Sequence, residues 1–250
     1  MNTKGLFPLL IFSACTSGYG ASFTDFQFHS NIGMLSDLSP KERLIFEKLC
    51  GKFELDAAQI TVKKCSLLQK NYHTQAFVPH SSLLLFDENI KELSEQEFSF
   101  LLCHELTHIK YHDSPKEFFA FLGSILTSFL SLHLLAEKII APQSMATSAI
   151  SLVCTIAFSL WTSLKIAKRY ARYHETRADL IAIKKLNTAA GAIAWLNHNR
   201  QENLLIKQAF LEKGQSASVD QDGNNTADQN HPLLTERIAA IETCLSQQAS

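Results

Sequence analysis

The stretch Ser94–Lys110, SEQEFSFLLCHELTHIK, decides the reading of this chain. Ser94 followed by Glu97 is a capping box, in which each side chain bonds the other residue's backbone N–H, so a helix begins here. Phe98, Leu101, Leu102 and Ile109 give that helix an apolar face to bury. His104 and His108 are four residues apart and share one side of it, so both imidazoles can reach one metal ion. Glu105 lies one residue along, rotated away from the metal and toward the water that the metal activates. Zinc lowers that water's pKa, and the carboxylate takes its proton as the water attacks a peptide carbonyl. The plainer alternative is a surface helix that happens to carry a histidine pair.

Two histidines leave a catalytic zinc one protein ligand short, because such sites use three and keep one position open. His112 is a further four residues along, but a ligand there would need the helix to continue without turning from the metal, and a surface position is expected. Tyr173–Asp179, YHETRAD, offers Glu175 and Asp179 one helical turn apart. One can bind the metal while the other holds a ligand imidazole through its second nitrogen. His174 points elsewhere on that helix and reads as a bystander. Cys103 reads as packing.

Three ordered motifs carry a resemblance. Leu101–Asp113, LLCHELTHIKYHD, resembles the M48 family of zinc metallopeptidases, which takes in the prenyl-protein CAAX proteases and the bacterial heat-shock protease HtpX. Ala171–Ala182, ARYHETRADLIA, is similar to that family's S-R-x-x-E-x-x-A-D segment at Arg172, Glu175, Ala178 and Asp179, with Ala171 replacing the usual Ser. His231–Glu242, HPLLTERIAAIE, is similar to its H-P-x-x-x-x-R-I at His231, Pro232, Arg237 and Ile238. Gln75–Asp87, QAFVPHSSLLLFD, looks like the strand before the HExxH helix. The resemblance spans roughly Thr74 to Glu242.

It implies one Zn²⁺ per chain, with Glu175 as third ligand and Asp179 as the partner of a ligand imidazole. It also implies an α+β, predominantly helical, zincin-like metallopeptidase domain that cuts internal bonds of protein substrates, misfolded or membrane-associated. His231 and Arg237 could stabilise the oxyanion or hold the substrate backbone. Their alternatives are a helix cap and a structural ion pair. The expectation is His231 in catalysis and Arg237 paired with a carboxylate beside the ligands. Ser82, Leu83, Leu84, Leu85 and Phe86 form a strand, expected at a sheet edge where it pairs with substrate backbone. A purely structural strand is the alternative. A rival of another class is a catalytically silent metal-binding or chaperone-like membrane protein, which would have no need of Glu105.

Composition sets the surroundings. Lys plus Arg is 23 against 24 Asp plus Glu, a balance that gives no reason to expect nucleic acid. Charged residues make up only 19%, below the usual quarter, a hint that some surface meets lipid. Phe118–Ala136 and Ile139–Leu164 contain no Asp, Glu, Lys or Arg. Each is close to or beyond the ~20 residues that cross a bilayer, and Pro142 lies between them. The expectation is a membrane-embedded helical hairpin over 118–164, interrupting a single domain of residues 21–250; two buried core helices are the alternative.

Residues 1–20 have the layout of a signal peptide or N-terminal anchor: Lys4, an apolar run Leu6–Cys15, then small and polar residues. Phe12-Ser13-Ala14-Cys15 faintly resembles a lipoprotein signal. Lys165, Lys168, Arg169 and Arg172 after the second run place the metal in the cytoplasm by the positive-inside rule, whereas a cleaved signal would export it. The reading leans to the non-cytoplasmic side of a bacterial cell-envelope membrane.

The remainder is ordinary protein. Ser39-Pro40-Lys41-Glu42 caps a helix through about Leu49. Ile60–Lys64 alternates as a strand. Gly214–Asn230, rich in Ser, Gln, Asp, Asn and Gly, reads as a flexible loop. The six cysteines contain no CxxC, which argues against a thiolate zinc site. Cys50 and Cys65 read as buried thiols before a disulfide.

Overall fold

The computed structural model describes residues 34–66, 76–80, 82–139, 145–228 and 231–248. The N-terminal leader and the expected turn at Pro142 lie outside them. The chain divides into two compact units, one of residues 1–114, 176–227 and 233–250, the other of residues 115–175 and 228–232.

The first unit holds a four-stranded sheet: β1 (Leu35–Ser36), β2 (Thr61–Cys65), β3 (Ala76–His80) and β4 (Leu83–Asp87). The spatial order is β1-β2-β4-β3, with β2 and β4 parallel and the outer pairings antiparallel. This corrects the expectation of an edge strand at Ser82–Phe86. Strand β4 is interior, with both backbone sides taken by β2 and β3, so it has no free edge for a substrate. Its unbroken apolar run is the reason: Leu84, Leu85 and Phe86 are fully buried, as in a strand covered on both faces. Ser82 lies just before the strand, exposed.

Helix α1 (Pro40–Phe53) opens on the expected capping box, with Glu42 Oε2 accepting from Ser39 N at 2.6 Å. It runs one turn past Leu49 because Cys50 and Phe53 extend its buried face. Helix α2 (Glu95–Tyr111) carries HExxH. Ser94 and Glu97 form its capping box, and His112, at φ 52°, ends it by donating its N–H to the carbonyls of His108 and Ile109. His112 is exposed, as expected. Ten residues of α2 are buried, so this is a core helix and not a surface one. It packs against α1, β3 and helix α5 (Ala190–Glu212). A Cβ on Gly191 would stand 2.2 Å from Gln96 O, so only glycine lets α5 approach the start of α2 this closely. Helix α6 (Leu234–Gln248) closes the unit against α5 and buries Ile241.

The polar stretch after α5 is not a loose loop over its described part. Asp220 accepts from Asp222 N, Asn224 N and Asn224 Nδ2, while Arg200, Asn203 and Lys207 of α5 donate to the carbonyls of Asp222, Gly223 and Asp220. Asn224 is buried, and its Oδ1 accepts from Thr235 N at the start of α6. The polar residues that suggested flexibility make the bonds that hold the segment.

Helices α3 (Asp113–Ile139) and α4 (Met145–Leu186) supply the second unit, with α4 contributing to both. Both are long and apolar enough to cross a membrane. Their burial is inside-out for a water-soluble protein. Phe119, Leu126, Leu130, Ile150, Val153 and Trp161 are more than half exposed, whereas Thr155, Ser159 and Ser163 are buried. These three small polar residues recur every four positions, so they form one stripe of α4. Small polar residues buried and large apolar ones facing outward is the arrangement that suits lipid.

Candidate metal centre

Helix α2 presents His104 and His108 side by side, ring centroids 4.8 Å apart, with their Nε2 atoms 3.1 Å from each other. Behind each ring stands a carboxylate. His104 Nδ1 lies 2.9 Å from Asp179 Oδ1, and His108 Nδ1 lies 2.9 Å from Asp113 Oδ2. Each carboxylate is held in turn by a guanidinium. Arg237 donates Nε to Asp179 Oδ2 at 2.7 Å and Nη2 to Oδ1 at 2.6 Å. Arg177 Nη2 donates to both oxygens of Asp113, at 2.5 and 2.6 Å. The same arm of imidazole, carboxylate and guanidinium is therefore built twice. Asp113, Asp179 and Arg237 are all buried, where an unpaired charge would be costly. The Arg237 guanidinium lies over the Trp195 ring at 5.2 Å, and Trp195 meets Phe100, giving this arm a dry aromatic wall.

The donor chemistry fits a metal ion. A carboxylate only accepts, so each neutral imidazole carries its proton on Nδ1 and presents a lone pair at Nε2. Two lone pairs 3.1 Å apart repel unless a cation lies between them. Two nitrogens at ~2.0–2.1 Å from one tetrahedral zinc would be ~3.3 Å apart, close to the spacing found. Glu175 stands one turn before Asp179 on α4. The ligand atoms of His104, His108 and Glu175 all lie within 4.8 Å of one another. Glu105 is buried beside them in sequence. Cys103, buried next to His104, has its thiol pushed up to about 12 by burial, so it offers no thiolate and acts in packing.

The second unit places His231 within itself. Its Nδ1 meets Asp228 Oδ2 at 2.7 Å, its carbonyl accepts from Arg172 Nε at 3.3 Å, and its Nε2 stands 3.7 Å from Glu175 Oε1. His174 is buried, with Nδ1 3.2 Å from Glu117 Oε1 of α3 and its ring 4.1 Å from that of Tyr170.

Two members of the site escaped the sequence reading. Asp113 follows the αL residue His112, and Arg177 sits inside the ETRAD run between Glu175 and Asp179. The spacing of Asp113, five residues past His108, was the available signal.

The model of peptidase family M48 matches residues 44–245, most of the chain. The chain belongs to peptidase family M48. No curated protein and no solved structure matches it. Membership makes this M48 chain a protease of a metallopeptidase family, with peptides or proteins as substrates.

Proposed function

We propose that this M48 chain is a zinc-dependent endopeptidase working at a membrane, on misfolded or membrane-associated proteins. The observation that carries the reading is the pair of imidazoles, each aimed by its own carboxylate and guanidinium. His104, His108 and Glu175 would hold the ion. Bound zinc supplies a Lewis acid that acidifies a water molecule and polarises the scissile carbonyl.

The chain's own groups do the rest. Asp179 and Asp113 keep both Nδ1 protons in place, so both imidazoles stay aimed by Nε2. Glu105 accepts the proton of the attacking water on a carboxylate oxygen and returns it to the leaving amine. His231, anchored by Asp228 at Nδ1, directs Nε2 to where the carbonyl oxygen gains charge, and its protonated ring donates there. Bonds to both its side chain and its backbone support a fixed donor over a mobile latch. An extended substrate would pair along the outer side of β3, since β4 is interior.

The inside-out helices α3 and α4 support insertion of the hairpin in a membrane, and the non-cytoplasmic side of a bacterial cell envelope remains our placement. Glu105→Gln tests the central chemistry: it keeps the shape but cannot accept the proton. We expect full metal content with casein cleavage lost. Cleavage at the wild-type rate in this variant would place the base elsewhere. A wild-type protein that binds zinc and cuts nothing would favour the silent metal-binding reading.

A further inference from the structure

We infer that α4 is a ruler: it fixes how far beyond the bilayer surface a peptide bond must stand to be cut. The inference rests on the reading of Glu175 as a metal ligand and of α3 and α4 as membrane helices.

Helix α4 is unbroken from Met145 to Leu186. From Met145 to Leu164 it carries no charge, a length of ~30 Å at 1.5 Å per residue, which matches the hydrocarbon core. Trp161 then meets Lys165, whose ammonium lies 3.8 Å from the ring centroid. An aromatic ring with a snorkelling lysine marks a membrane–water interface. Lys168, Arg169 and Arg172 follow. Glu175 comes eleven residues after Leu164, ~16 Å further along the same rod. An ordinary tilt of ~20° lowers that height by only ~1 Å.

Helix α3 offers a competing boundary. Its uncharged run starts at Phe118, and the Glu117 contact with His174 sets that start beside the basic segment of α4. A bilayer reaching Phe118 would immerse Lys165, Lys168 and Arg169. On the insertion scale a cation at mid-helix costs several times what one apolar residue gains, so the cations set the boundary. Phe119 and Leu122, both exposed, then stand at headgroup height, between hydrocarbon and Glu175.

An extended chain advances ~3.3 Å per residue, so a substrate leaving the membrane needs about five residues to reach Glu175. Bonds closer than that to the end of a substrate's span should escape.

The full chain, loaded with zinc in phosphatidylcholine–phosphatidylglycerol vesicles, would be given single-span substrates bearing a casein-derived stem. Gly/Ser spacers of zero to fifteen residues would separate span from stem, and mass spectrometry would map each cut. The expected result is no cut within about five residues of the span, whatever the spacer. Cuts one or two residues from the span would overturn the ruler. So would cleavage of soluble casein with no anchored substrate cut. If neither casein nor the anchored set is cut, the peptidase reading falls and the ruler with it.

Depth is read separately by brominated lipid, which quenches tryptophan in the hydrocarbon. With Trp195→Phe in both proteins, Trp161 should be quenched, whereas the tryptophan of Trp161→Phe/Tyr173→Trp should escape. Equal quenching of the two would place Glu175 at the bilayer surface and overturn the ruler whatever the activity.

Discussion

Removing Asp179 should separate metal affinity from stability. In Asp179→Ala, His104 loses the carboxylate at 2.9 Å and Arg237 loses both of its charge-assisted bonds. Arg237 is only 4% exposed, so its charge loses this buried carboxylate in a dry site. Breaking a buried pair from one side costs about 3–5 kcal/mol. Loss of the group that orients a ligand imidazole weakens metal binding by about 10–100-fold. The double variant Asp179→Ala/Arg237→Met removes the guanidinium as well. It should recover most of the lost stability, because an apolar side chain can fill the space beside Trp195. Zinc affinity should stay low, because the His104 ring still lacks the Asp179 carboxylate at Nδ1. Urea unfolding of metal-free protein in detergent gives the stability, and competition with a chromophoric chelator gives the affinity. Wild-type zinc affinity in the double variant would refute a role for Asp179 in aiming His104. An unchanged unfolding midpoint in the single variant would refute the buried-charge argument.

The second arm should behave likewise: Asp113→Ala takes the carboxylate from both His108 and Arg177 and weakens zinc about 10–100-fold, as chelator competition will report. Gly191→Ala should destabilise the fold by about 1–3 kcal/mol, since the new Cβ meets the rigid Gln96 carbonyl at the root of the HExxH helix; a midpoint equal to wild type would contradict the close approach. The buried thiols Cys50, Cys65 and Cys103 are free, with burial raising them to about 12, 11 and 12. They stay protonated up to about pH 10, so maleimide at pH 8 should modify the half-buried Cys244 before these three, which react only on unfolding. Rapid labelling of Cys103 in the native protein would count against the packed core around His104.

Local features were legible and distant ones less so. Both capping boxes, Ser39 with Glu42 and Ser94 with Glu97, stand where their spacing put them, because a helix start is decided within four residues. Motif resemblance picked out both Asp179 and Arg237, 58 residues apart, and a carboxylate partner for Arg237, but not that the two pair with each other. The Asp113–Arg177 pair, 64 apart, had no such guide. The interior place of β4 depends on β3 and β2 arriving on its two sides, a non-local outcome that an apolar pentapeptide cannot announce. The stretch from Gly214 misled for a different reason. Composition counts polar groups but does not show that Asp220 and Asn224 bond one another and the helices beside them. The leader at residues 1–20 lies outside the described chain, so its reading stands as an expectation.

The central claim is a single zinc held by His104, His108 and Glu175. Elemental analysis of the purified chain after dialysis, beside His104→Ala/His108→Ala and Glu175→Ala, tests it most directly. Close to one zinc per wild-type chain is expected, with none in the double variant and a strong loss in Glu175→Ala. Stoichiometric zinc retained by the double variant would contradict it.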